Sequence, residues 1–97
     1  MIDSNHIISI LQQAKPSLQE SYGIRSLALF GTYSRNTAIA GISDIDIMVE
    51  FSEPIGIRSI DLADELEKIL KHKVDLVSRN GIRPKYFNVI EPDLIYV

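Results

Sequence analysis

The chain begins with the apolar periodicity of an amphipathic helix. Its first apolar residues recur at three- to four-residue spacing: Ile7, Ile8 and Leu11. Asp3 or Ser4 can cap this helix, because short polar side chains accept hydrogen bonds from the free N–H groups of a first turn. Pro16 lacks a backbone N–H, so we expect it to end the first helix and to open a second short helix that finishes near Gly23.

Four short segments have the pattern of strands. Residues 24–30 end in four consecutive apolar side chains, which is typical of a strand buried on both faces. Residues 44–51 alternate, with isoleucine and valine on one face and mostly acidic side chains on the other. Residues 73–77 and 94–97 are shorter apolar segments, and the first of them contains a single aspartate.

Two further helices are predicted between and after these strands. Ser59 can cap the first of them, whose core face consists of Leu62, Ala63, Leu66, Ile69 and Leu70. Pro84 can begin a shorter helix that packs Phe87 and Ile90. Helices interspersed with strands predict a small α/β or α+β fold, with a mixed sheet flanked by helices.

Composition excludes several classes of function. The 97 residues suggest one small domain, and the absence of cysteine excludes disulfide frameworks, zinc ribbons and thiol catalysis. Ten basic and thirteen acidic side chains leave a net charge of −3, which argues against direct nucleic-acid binding. The start of the chain has no basic region followed by a long apolar segment, so we expect no signal peptide, no membrane span and a cytoplasmic location.

The first candidate for chemistry is Gly31-Thr32, where a buried strand is followed by a turn or one helical turn. Glycine lets the backbone approach a ligand closely, and the following N–H groups with the Thr32 hydroxyl can bind an anion. The same two residues would also suit an ordinary turn at the end of a strand.

Three aspartates on predicted strands are the second candidate. Asp44 and Asp46 are two residues apart on a strand, so their carboxylates share one face, and Asp75 lies in another apolar strand. Carboxylates in this arrangement can bind hard cations, which favours Mg²⁺ or Mn²⁺ over Zn²⁺. The alternative is that all three are solvated side chains at the edge of a sheet.

These features occur in an order that resembles a known signature. Residues 31–35, seven intervening residues and then residues 43–46 resemble the Gly-Ser-x-x-Arg-x(7)-Ser-Asp-x-Asp motif of the DNA polymerase beta nucleotidyltransferase superfamily. Within it, the chain looks like the minimal nucleotidyltransferases, short antitoxins that are paired with HEPN toxins. The resemblance spans essentially residues 1–97 and implies a single minimal nucleotidyltransferase domain with the polymerase-beta-like fold.

The resemblance implies a role for each matching residue. Asp44 and Asp46 would hold two Mg²⁺ ions, while Asp75 would complete one metal site and help to deprotonate the attacking hydroxyl. Gly31 and Thr32 would hold the triphosphate of ATP.

Further expectations concern the residues around this motif. Ser43 is expected to bind the nucleotide, and Arg35 either contacts phosphate or pairs with a carboxylate. Thr32 replaces the usual serine, and Asn36 replaces a frequent glycine but tolerates left-handed backbone. Tyr33, beside the motif, is a candidate for nucleotide contact.

The resemblance implies that AMP is moved from ATP to a tyrosine of a HEPN-family toxin. An oligomer with this partner is one expectation. Two alternatives are a non-catalytic antitoxin that neutralises its partner by binding and a transferase that acts on a small-molecule hydroxyl. His6 and His72 are isolated in the sequence and are expected at the surface, rather than as metal ligands.

Overall fold

The computed structural model describes residues 3–39, 41–53 and 58–97. In chain order, its elements are helix α1 (Ser4–Tyr22), strand β1 (Ile24–Phe30), helix α2 (Gly31–Ser34), strand β2 (Ile45–Phe51), helix α3 (Arg58–Leu70), strand β3 (Val74–Ser78), helix α4 (Pro84–Ile90), a 3-10 turn (Glu91–Asp93) and strand β4 (Ile95–Tyr96).

The strands form a mixed sheet in the order β3-β2-β1-β4. β1 is antiparallel to both of its neighbours, whereas β2 and β3 are parallel. A parallel pair needs a crossover connection, and α3 supplies it. The predicted fold class, a small mixed sheet flanked by helices, is confirmed.

The two faces of the sheet bury different sets of apolar side chains. Helices α1 and α3 cover one face with the larger core, which includes Leu11, Leu18, Leu29, Ile47, Leu62 and Leu66. Helix α4 covers part of the other face, where Ala28, Phe30, Met48 and Ile90 are buried together. Burial on both faces explains why β1 is a nearly continuous apolar segment.

Two predictions about helix boundaries were wrong. Pro16 lies inside α1 instead of separating two helices, and Asp3 is the N-cap while Gly23 is the left-handed C-cap. The helix continues because its buried stripe extends on both sides of Pro16, which is itself exposed, so water can satisfy the carbonyl that the proline leaves unbonded. Ser59 lies inside α3, which begins at Arg58; residues 54–57 before it are outside the described part of the chain.

Helix α1 is the longest of the described helices. None of these helices combines the length and the apolar character needed to cross a membrane.

Candidate functional site

Two of the predicted aspartates face each other across parallel strands. Asp46 at the beginning of β2 is the register partner of Asp75 in β3, and adjacent strands lie about 4.8 Å apart. Two residues further along, the register partners Met48 and Val77 both pack in the cluster under α4. Because side chains alternate along a strand, Asp46 and Asp75 therefore face the α4 side of the sheet, away from α1 and α3.

Asp44 lies immediately before β2 and is half-buried. Its charge contributes to the electrostatics of Asp46, together with that of Asp75. The structure thus brings the three predicted carboxylates to one corner of the sheet.

The pKa of Asp46 is raised from 3.8 to about 6. Partial burial is the largest cause, because it removes water from the charged form, and the negative charges of Asp75 and then Asp44 raise the pKa further. The positive charge of Arg35 acts in the opposite direction. A cation bound beside Asp46 would stabilise the charged form of its carboxylate. A pKa shifted by burial together with neighbouring charges is typical of functional sites.

The donor set fits a hard divalent cation in its chemistry. Carboxylate oxygens are the ligands that Mg²⁺ and Mn²⁺ prefer. Within the described residues, however, no three carboxylate, imidazole or thiol side chains converge closely enough to ligate one ion together. The two-ion arrangement expected for Asp44, Asp46 and Asp75 therefore remains a prediction.

Gly31 packs directly against the Asp46 carboxylate. The φ of Gly31 is 77°, and a Cβ added there would lie 2.0 Å from Asp46 Oδ2 and 2.9 Å from Asp46 Cγ. The backbone at Gly31 thus approaches the Asp46 side chain closely, while its predicted approach to a ligand stays a prediction. No residue with a side chain fits this position without displacing Asp46.

The loop that follows Gly31 has ordered turn geometry. Asn36 has a φ of 59°, which confirms that it adopts left-handed backbone. The half-buried Thr32 accepts a hydrogen bond at its carbonyl from the Thr37 N–H at 2.9 Å. Ser43 supports the end of the loop, because its Oγ accepts a hydrogen bond from the Ile39 N–H at 2.9 Å. Nucleotide binding by Thr32 and Ser43 stays a prediction.

Arg35 pairs with a carboxylate, one of the two roles expected for it. Its guanidinium forms an ion pair with Asp93 in the 3-10 turn, and the Ser34 hydroxyl donates to the Asp93 carbonyl. Asp93 therefore ties the loop to the segment before β4. The sequence contains no signal for this contact, since the partners are 58 residues apart.

A second tie to the loop was also missed. Tyr33 is only 6% exposed, so little of its side chain is accessible, and its contact with the nucleotide stays a prediction. Its hydroxyl lies 3.1 Å from Nε2 of His72, which is half-buried and not the free surface residue that we expected. The one relevant signal in the sequence is the tyrosine beside the motif, whose hydroxyl needs a hydrogen-bond partner if its ring is buried.

The sequence is similar to that of a known protein family and of named relatives. Residues 11–97 match the family model described as "Nucleotidyltransferase domain". The chain is 41% identical over 95 residues to MJ0126 of Methanocaldococcus jannaschii, named as a candidate protein adenylyltransferase, covering 96% of both chains. It is 35% identical over 98 residues to the protein adenylyltransferase MntA of Thermococcus cleftensis, covering 100% of this chain and 98% of that protein.

Solved structures with the same fold were found as well. A candidate minimal nucleotidyltransferase superimposes with a TM-score of 0.79 at 26% identity, covering 97% of this chain and 95% of the other. A chain of the complex between tri-AMPylated Shewanella oneidensis HEPN toxin and MNT antitoxin superimposes with a TM-score of 0.61 at 26% identity, covering 96% of this chain and 66% of the other. A chain of a toxin-antitoxin structure with AMP-PNP has a TM-score of 0.60 at 31% identity, covering 84% and 61%.

Proposed function

The chain belongs to the nucleotidyltransferase domain family and is an enzyme of that class. We propose that it transfers AMP from ATP to a hydroxyl of a partner protein. The resemblance to minimal nucleotidyltransferases that the sequence indicated is confirmed. We further propose that residues 1–97 act as one catalytic unit in the cytoplasm.

One observation carries this proposal: the pairing of Asp46 with Asp75 across parallel strands, with Gly31 packed against the Asp46 carboxylate. A carboxylate pair beside a backbone loop combines a cation site with a place for phosphate. Asp44, two residues before Asp46, adds a third oxygen donor group at the same corner.

The proposed reaction is an in-line displacement at the α-phosphorus of ATP. The acceptor oxygen forms a bond to that phosphorus, the bond to the β-phosphate oxygen breaks, and pyrophosphate leaves. We assign the acceptor proton to Asp75 and the cation site to Asp44, Asp46 and Asp75. Bound Mg²⁺ would supply charge neutralisation at the phosphates. Gly31, Thr32 and Ser43 are proposed to hold the nucleotide.

For the acceptor, we propose a tyrosine of a HEPN-family toxin. The support is that full-length relatives are named protein adenylyltransferases and that a chain of similar fold comes from a complex with an AMPylated HEPN toxin. The structure with AMP-PNP supports ATP as the nucleotide. By this proposal the chain is an antitoxin that acts through covalent modification.

The test is Mg²⁺-dependent labelling of a candidate HEPN-domain partner from the same organism, with ATP labelled at the α-phosphate. We expect the wild type to label its partner, EDTA to prevent the labelling, and Asp44→Asn with Asp46→Asn to abolish it while the fold is retained. Asp61→Asn is the matched control, because Asp61 is an exposed aspartate in the first turn of α3. Undiminished labelling by the folded double variant would refute the assignment of the site.

Two other outcomes would indicate the alternative functions. A stable complex with no label on the partner would favour neutralisation by binding alone. Label transferred to a hydroxylated small molecule, but not to the protein partner, would favour a small-molecule acceptor.

A further inference from the structure

Tyr33 links helix α2 to the connection between α3 and β3. It lies two residues after Gly31, and its ring is buried in the larger core. Its hydroxyl is 3.1 Å from His72 Nε2, and the two rings meet edge to face, with centroids 5.5 Å apart and an interplanar angle of 82°. The tyrosine therefore has both a packing contact and a polar contact with His72.

The second nitrogen of His72 determines which atom donates to which. His72 Nδ1 lies 3.0 Å from the carbonyl oxygen of Lys73. A carbonyl only accepts hydrogen bonds, so Nδ1 carries the proton in a neutral ring and Nε2 presents its lone pair. The Tyr33 hydroxyl is then the donor to Nε2.

The Lys73 carbonyl connects this pair to the strand that carries the aspartates. It also accepts a hydrogen bond from the Ile45 N–H at 3.0 Å, and Ile45 lies between Asp44 and Asp46. Two residues after Lys73 comes Asp75, the register partner of Asp46. A continuous series of hydrogen bonds therefore runs from the loop after β1 to the beginnings of β2 and β3.

We propose that Tyr33 and His72 form a positioning pair for nucleotidyl transfer, which holds the loop of residues 31–35 (the single turn of helix α2 and its C-cap Arg35) in register with the aspartates on β2 and β3. This inference rests on the proposed function, and it adds two residues to which the signature motif assigns no role. Neither residue touches the reacting atoms.

The opposite side of the loop is bound to Asp93, so the contribution of Tyr33 and His72 can be measured separately from that of the Asp93 contacts. Ser34 and Arg35 are bound to Asp93, on the segment before β4. Loss of the Tyr33 hydroxyl would leave that attachment and the Tyr33 ring in place. The loop would stay folded, but its distance from Asp75 would no longer be restrained by a hydrogen bond. Small errors in the placement of reacting groups slow catalysis strongly.

The decisive variant is Tyr33→Phe, which removes the donor and keeps the ring. We expect kcat for labelling of the HEPN-domain partner to fall about tenfold, with KM for ATP changed less than about threefold, because the loop's own contacts to the phosphates remain. His72→Leu should produce the same loss, and combining it with Tyr33→Phe should add little, since both variants break one hydrogen bond. His72→Gln offers an amide oxygen near the position of Nε2, so it should retain most of the kcat that His72→Leu loses.

Tyr22→Phe is the matched control. Tyr22 is also a buried tyrosine whose hydroxyl donates to a side chain, that of Glu65, but it lies before β1, at the other end of the sheet from Asp46. The Tyr22→Phe variant should lose about as much thermal stability as Tyr33→Phe and retain the kcat of the wild type.

Three results would overturn the proposal. If Tyr33→Phe labels as fast as Tyr22→Phe while the wild type is active, the positioning role is wrong and the proposed function stands. If the wild type transfers no AMP, both are wrong. Nitrogen-15 NMR of the His72 ring gives an independent measurement: we expect the Nδ1–H tautomer, and a protonated Nε2 in the neutral ring would contradict the donor order.

Discussion

Replacing Asp46 with asparagine should stabilise the fold at neutral and alkaline pH, because the folded state holds this carboxylate in a partly buried position close to Asp75 and Asp44. A pKa raised from 3.8 to about 6 corresponds to about 3 kcal/mol of preference for the neutral form. Asp46 is only partly buried, so solvent screening reduces the cost of its charge to about 1 kcal/mol.

The stability cost of the Asp46 charge depends on pH, because the folded and unfolded states bind the carboxyl proton with different affinities. Between pH 3.8 and about 6 the folded state binds the proton more tightly than the unfolded chain, so stability falls as the pH rises. Above about pH 6 the full cost of the charge is present, and below about pH 4 it is gone. The gain from Asp46→Asn should therefore be complete at about pH 8 and clearly smaller at about pH 4.5.

Urea unfolding of the wild type and the variant at both pH values measures this difference. Asp61→Asn is again the control and should have the opposite sign, because Asp61 lies in the first turn of α3, where the helix dipole favours negative charge by about 0.5 kcal/mol. A variant at Asp46 that is no more stable than the wild type at about pH 8, or a gain that is equal at both pH values, would refute the electrostatic account of the site.

Two further substitutions test the backbone conformation at Gly31 and at Pro16. Gly31→Ala should lower the free energy of unfolding by more than about 2 kcal/mol and abolish labelling of the partner, because its Cβ would overlap the Asp46 carboxylate. The control is Gly23→Ala, which is also at positive φ but has open space around it. This variant should lower the free energy of unfolding by about 1 kcal/mol and keep the activity. Equal costs in urea unfolding would mean that the contact with Asp46 is not restrictive. Pro16→Ala should raise stability by about 1–3 kcal/mol, seen as a higher Tm, since it restores a hydrogen bond inside α1, and an unchanged or lower Tm would contradict the continuous helix.

Local patterns were sufficient for most of the fold. The alternation of residues 44–51 predicted β2 with the correct face toward the core, and the apolar periodicity of α3 predicted buried Leu62 and Leu66. The same alternation placed Asp46 on the face opposite Ile45 and Ile47, in agreement with the packing of Met48 and Val77 under α4, while the shared face of Asp44 and Asp46 stays a prediction. These features depend on neighbours close in sequence, so a pattern of two or four residues can reveal them.

The remaining features depend on contacts between distant parts of the chain. Tyr33 and His72 are 39 residues apart, and the pairing of β2 with both β1 and β3 brings them together. Pro16 shows the converse: its local preference predicted a break, but packing of α1 along the sheet outweighed it. The sequence indicated that the aspartates can bind a hard cation, whereas the leading role of burial in the pKa of Asp46 required the structure.

The central claim is that this chain modifies its partner covalently. The most direct test is the intact mass of a candidate HEPN-domain partner from the same organism, measured after incubation with the chain, ATP and Mg²⁺. We predict that the mass rises by one or more AMP units, and that no rise occurs with Asp44→Asn/Asp46→Asn. A stable complex whose partner keeps its original mass would contradict the account.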